Sequence, residues 1–152
     1  MSTIEIFKNV KTYLATFSNI RFAMIFGSTA SGKNSFLSDI DIAIYSEPTF
    51  ELLEFGRIIS ELETIGERKI DLVELNRLNS SNNFLCHEIV SNNKLLFNKD
   101  EKLFIDFKRK TFLIYFDQTR FREEFRRKLL ERIKNNQFGR RLDARAIEPV
   151  GS

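Results

Sequence analysis

Gly27-Ser28-Thr29-Ala30-Ser31-Gly32-Lys33-Asn34-Ser35-Phe36-Leu37-Ser38-Asp39-Ile40-Asp41 is the stretch on which the reading of this chain turns. An apolar run, Phe22 to Phe26, leads into it, and Ile40-Asp41-Ile42-Ala43-Ile44 leads out. Short apolar runs bounded by turn residues read as buried strands. A Gly-Ser turn therefore follows one strand, and two aspartates one residue apart open the next. Strand alternation puts Asp39, Asp41 and Ala43 on one face and Ile40, Ile42 and Ile44 on the other. The isoleucines anchor a core while both carboxylates project the same way, their Cα atoms roughly 6 to 7 Å apart.

Outward from this stretch, the elements alternate between helix and strand. Ser2-Thr3-Ile4-Glu5 has the form of a capping box, and Ile6, Val10, Tyr13 and Phe17 follow helical spacing, so an amphipathic helix runs to about Ser18-Asn19. The first strand is Arg21 to Phe26, residues 28–38 are expected as a turn with a short helical start, and the second strand is Asp39 to Tyr45. A helix with Pro48 near its start carries Leu52, Leu53, Phe55, Ile58, Ile59 and Leu62 and stops near Gly66. Arg68 to Leu75 alternates as a third strand and carries a further aspartate, Asp71. The Asn/Ser-rich stretch Asn76 to Asn83 reads as a loop, Phe84 to Val90 as a short helix ended by Asn92-Asn93, and Leu95 to Phe97 as a strand. Asp100 to about Asp117 and Arg120 to about Asn135 are helical, a pair or one bent helix. The expected fold is α/β (α+β): one domain over residues 1–138, with a core of small mixed sheet and flanking helices to about residue 98, C-terminal helices over about 100–136, and a flexible end over 139–152.

Composition narrows the setting. The chain has 152 residues, 16 Phe, no Trp and one cysteine. A single cysteine excludes an internal disulfide and a cysteine zinc site, which fits a reducing, cytoplasmic location, and Cys86 reads as a buried apolar side chain. The N-terminal apolar positions are interrupted by Glu5, Lys8 and Lys11, and no run approaches the roughly 18 apolar residues of a membrane span. The net charge of +3 is uneven: Phe107 to Ser152 holds 13 Lys or Arg against 6 Asp or Glu. With Glu123, Glu124 and Glu131 interleaved at helical pairing distances, that segment reads as a solvated helical face, and a nucleic-acid partner is not expected.

Two phosphate chemistries compete for the glycine turn. Gly27-x4-Gly32-Lys33 matches most of a P-loop, but Asn34 stands where a magnesium-binding Ser or Thr belongs. A P-loop also opens a long helix, whereas here a strand begins at Asp39. The second reading uses Gly27-Ser28, ten residues, then Asp39-Ile40-Asp41, with Asp71 on a following strand. In that pattern the chain resembles nucleotidyltransferases of the DNA polymerase beta superfamily, and most closely the minimal (MNT) type found as antitoxins in HEPN/MNT toxin-antitoxin pairs. The resemblance runs from about Phe22 through Leu75, and more loosely to Tyr115-Phe116-Asp117 and the basic helix after it.

The resemblance implies roles for particular residues. Gly27 lets the backbone approach a triphosphate, Ser28 hydrogen-bonds the terminal phosphates, and Lys33 adds positive charge beside them. Asp39 and Asp41 hold Mg²⁺ against the phosphates of ATP, and Asp71 completes a second metal position and orients the acceptor hydroxyl. It implies transfer of AMP from ATP to a tyrosine of a partner HEPN-domain toxin, a ribonuclease that is thereby neutralised. The Phe-rich segment Phe104 to Phe138, with 7 of the 16 Phe, is a candidate partner surface. Two alternatives stand beside it: neutralisation by binding alone, and an aminoglycoside-type transferase acting on a small hydroxyl compound. His87 and Glu74 are read as structural.

Overall fold

The computed structural model describes residues 2–27 and 39–135. The expectations for residues 28–38 and 139–152 lie outside that set. The chain divides into two compact units, one ending at Phe112 and one beginning at Leu113.

The first unit is built on a four-stranded mixed sheet. Helix α1 (Thr3–Ala15) leads into β1 (Ile20–Phe26), and β2 (Ile40–Ser46) is followed by α2 (Leu52–Gly66) and β3 (Ile70–Glu74). Helices α3 (Leu75–Ser81) and α4 (Asn83–Ser91) then lead to β4 (Asn93–Asn98) and α5 (Glu101–Lys134). The strand order is β3-β2-β1-β4. β1 runs antiparallel to β2 and β4, while β2 and β3 are parallel, joined by the α2 crossover.

Each face of the sheet has its own core. Ile20, Ile25, Ile40, Ile42 and Ile44 pack with Ile6, Val10 and Leu14 of α1 and Ile58 and Leu62 of α2. The other face carries Phe22, Met24 and Ala43, covered by Leu75, Cys86, Ile89 and Phe107. Both faces are buried, which is why β1 and β2 are nearly continuous apolar runs. Helix α1 begins with the expected capping box, Ser2 accepting from the Glu5 N–H and Glu5 from the Ser2 N–H. It ends at Ala15, sooner than the apolar spacing predicts, and the Lys99 ammonium donates to the Ala15 and Phe17 carbonyls just past that end.

Two differences from the sequence reading have physical causes, and one alternative left open there is decided. Asn76 to Ser81 is helical within α3, not a loop. Propensity disfavours a helix there, but Leu75 is fully buried, and the Asn76 side chain donates to the Ser46 carbonyl (2.8 Å) and accepts from its N–H (3.4 Å). Pro48 lies before α2, not in its first turn: Phe50 is buried in the core and its N–H donates to Glu74 (3.0 Å), holding this segment outside the helix until Leu52. The segment after Asp100 is one helical element, Glu101–Lys134, uninterrupted by Gly or Pro.

In the second unit the described residues are the last turns of α5 and Asn135. Leu113, Phe116, Phe121, Phe125, Leu130 and Ile133 are each at least half exposed. Arg126 pairs with Glu123 at 2.7 Å, an exposed intrahelical ion pair of small energetic weight.

Candidate active site

The crossover that makes β2 and β3 parallel also sets their register. Ile40 lies beside Ile70, and Asp41 beside Asp71. In-register neighbours share a face, so both carboxylates stand on the side of the sheet that carries Ala43. Two residues thirty positions apart are thereby brought side by side. Asp39 precedes β2 and is exposed.

Electrostatics show how closely these groups meet. Burial pushes the Asp41 carboxyl up, and the Asp71 charge, a hydrogen bond with Asp71 and the Asp39 charge push it further, to about 6. A carboxyl crowded by other carboxylates gives up its proton less readily than an isolated one. All three aspartates named from the sequence thus act on one another, Asp41 and Asp71 by direct contact and Asp39 through its field.

Gly27 is bound into the same geometry from the other side. Phe26 is the β1 partner of Asp41, so the chain turns directly beside that carboxylate. Gly27 turns with φ +75°, a conformation that side-chain-bearing residues seldom adopt. A Cβ there would collide with the Asp41 carboxylate, its carbon lying 3.2 Å away. Glycine is required twice over, by its backbone angle and by the space that Asp41 fills. Ser28 and Lys33, the other phosphate-binding candidates, lie outside the described residues, as does Gly32 of the P-loop reading.

The pair fits a small hard cation. Among the described residues no three His, Cys, Asp or Glu side chains gather to hold a metal. Mg²⁺ is commonly held by one or two carboxylates together with substrate phosphates, and Asp41 beside Asp71 is a donor set of that kind, whose mutual repulsion a cation would relieve.

Other candidates are placed elsewhere. Glu74 alternates away from Asp71 and is buried, accepting from the Ser46 hydroxyl and the Phe50 N–H and pairing with Arg77 Nε at 2.8 Å. It ties the ends of β2 and β3 together, a role that strand alternation alone does not reveal. His87 is half-buried and meets the Phe112 ring edge-on at 5.2 Å. Cys86 is fully buried near Thr111 Oγ1, and burial pushes its thiol up to about 11.

Known proteins share this architecture. Protein adenylyltransferase MntA of Shewanella oneidensis is 27% identical over 99 residues, covering 64% of this chain and 69% of that one. A chain of a crystal structure of the toxin-antitoxin with AMP-PNP superposes with TM-score 0.67 at 23% identity, over 82% of this chain and 98% of that one. A chain from a structure of tri-AMPylated Shewanella oneidensis HEPN toxin in complex with MNT antitoxin gives TM-score 0.63 at 22% identity, over 86% and 99%. The family described as Polymerase beta, Nucleotidyltransferase matches residues 8–102, which include Gly27, Asp39, Asp41 and Asp71. By that match over most of its length, and by the sheet that sets Asp41 against Asp71, the chain belongs to the polymerase beta nucleotidyltransferase family.

Proposed function

We propose that this protein is an antitoxin that transfers AMP from ATP to a tyrosine of a partner HEPN-domain toxin, a ribonuclease, and neutralises it in the cytoplasm. What supports this most is the convergence of Asp41 and Asp71 beside the Gly27 turn, where a triphosphate chain and a hydroxyl nucleophile can meet. The similarity to protein adenylyltransferase MntA supports protein as the acceptor class.

In this reading the acceptor oxygen attacks the α-phosphorus in line, the bond to the bridging oxygen of pyrophosphate breaks, and pyrophosphate leaves. Asp71, on the outer strand of the pair, orients the hydroxyl and takes its proton. Asp39, Asp41 and Asp71 would hold Mg²⁺. When bound, the ion neutralises phosphate charge and stabilises the charge that develops during transfer. Gly27 leaves room for the phosphates, with Ser28 and Lys33 as their further ligands.

Binding without catalysis is favoured by a different observation, the row of exposed Leu, Phe and Ile side chains between Leu113 and Ile133. Apolar surface of that extent is characteristic of a partner contact. One experiment separates the readings. The protein, ATP, Mg²⁺ and a HEPN toxin are incubated together, and the toxin is weighed by mass spectrometry. Gain of AMP that disappears with Asp39→Ala and Asp41→Ala supports transfer; protection of cells by that double variant, with no mass gain in the wild type, replaces it with occlusion.

A further inference from the structure

β3 is an edge strand, and its free side is not featureless. The Ile40 N–H donates to the Lys69 carbonyl at 3.1 Å, with Ile40 in register with Ile70. Parallel pairing then turns the backbone groups of Lys69, Asp71 and Val73 toward β2 and those of Ile70, Leu72 and Glu74 outward. The Glu63 carboxylate accepts the outward Ile70 N–H at 3.3 Å, which fixes this phase independently. After Glu74 the chain enters α3. Leu72 is left at mid-strand with its N–H and C=O facing the open edge.

A groove of about 390 Å³ runs along that edge. Leu52 and Phe55 of α2 form one wall with Phe50, Leu78 and Ser81 of α3 form the other, and Leu72 lies between. The volume is within the roughly 300 to 1,000 Å³ typical of pockets that enclose a ligand. The rim is open, with Leu52 85% exposed, and it mixes apolar side chains with Glu51, Glu74, Arg77 and Ser81. Most important is its position: Asp71 does not line the groove, but it is the strand neighbour of Leu72, so a segment paired with the β3 edge at Leu72 also runs past Asp71.

The geometry points to this groove as the docking site for the acceptor protein, which binds as an extended segment added to the edge of β3. This rests on the adenylyl-transfer reading above and names how the acceptor is held. An added strand accepts from the Leu72 N–H, donates to the Leu72 carbonyl and sets apolar side chains between Phe55 and Leu78, the mode by which sheet edges capture peptides. It also aims the nucleophile. A residue in register with Asp71 on the added strand projects its side chain onto the face of Asp71 and Asp41, one strand spacing of about 4.8 Å further out. A hydroxyl-bearing residue there meets the catalytic face without any acceptor-binding domain.

The test uses the full chain with a HEPN toxin as the acceptor. Amide exchange is followed at Leu72 with AMP-PNP, with and without toxin, and acceptor KM is measured for the wild type and for Leu52→Arg with Ser81→Arg, both at exposed rim positions. Docking predicts slowed exchange at Leu72 in the complex and an acceptor KM raised about tenfold, equivalent to about 1.4 kcal/mol, with AMP-PNP affinity kept as the control for an intact nucleotide site. Unslowed exchange at Leu72 with unchanged KM overturns docking while leaving adenylyl transfer in place. Slowed exchange in a wild type that transfers no AMP removes the transfer reading and keeps the groove as a binding site for the toxin. Loss of both overturns both.

Discussion

Asp41 and Asp71 stand in register on parallel neighbouring strands and share a hydrogen bond, so the Asp71 carboxylate opposes the ionisation of Asp41. Such a pair is unfavourable until something positive arrives. If Asp41 and Asp71 organise charge at the reacting phosphate, as proposed, Asp41→Asn and Asp71→Asn should each lower AMP transfer by a factor on the order of 10³. Single-turnover assays with labelled ATP check this, and either variant retaining more than a tenth of wild-type activity contradicts it.

The same crowding gives a pH dependence of stability. Asp41 has a folded-state value near 6 against 3.8 for the ordinary carboxyl. Between these values the folded chain binds more protons than the unfolded chain, so stability contributed by this site is present below about pH 4 and lost as pH rises through 6. In chelator-treated protein, Asp41→Asn should therefore raise Tm at pH 7.5 and leave it nearly unchanged at pH 4. The group is largely solvent-screened, so the gain should be about 1 kcal/mol or less. Calorimetry at the two pH values checks the sign.

Gly27→Ala should be the most damaging small substitution near the site. The left-handed angle costs about 1 to 2 kcal/mol in a residue with a side chain, and the methyl group displaces the Asp41 carboxylate. Transfer activity should fall more steeply than Tm, which an activity assay beside a urea melt reveals.

Glu74 predicts the opposite profile. Glu74→Ala strands the Ser46 hydroxyl, the Phe50 N–H and one side of Arg77, so it should destabilise the fold by about 2 to 4 kcal/mol. At a temperature where the variant is still folded and with acceptor saturating, AMP transfer per folded molecule should stay close to wild type.

Phe121→Ser with Phe125→Ser removes two exposed rings from the second unit. Tm should move by no more than about 0.5 kcal/mol equivalent, while affinity for the partner falls at least tenfold in calorimetric titration. A large drop in Tm with affinity preserved assigns these rings to folding.

The strands and the acidic pair were legible because their causes are local. Alternation in Ile40 to Ile44 is a property of the backbone, and it placed Asp41 on the face where the sheet carries it. Asp71 could be named from the motif, but its register opposite Asp41 depends on the α2 crossover, which no pattern within either strand encodes. Helix α3 was hidden because Asn and Ser disfavour helices in isolation; the bonds from Asn76 to Ser46 that stabilise it span thirty residues. The spacing of Phe121, Phe125 and Ile133 in α5 marked a shared helical face, and their exposure in the structure is what the spacing alone did not give. Periodicity tells which residues share a face, not what covers it.

The burial of Cys86 bears on how this chain can be interrogated. Its thiol is the chain's single one, has no solvent access, and ionises only near the alkaline extreme. Alkylating and photoactivatable thiol reagents therefore find the native surface blank. A cysteine placed at position 52 becomes the one reactive handle, and a cross-linker attached there reports which stretch of a neighbouring protein passes within its reach.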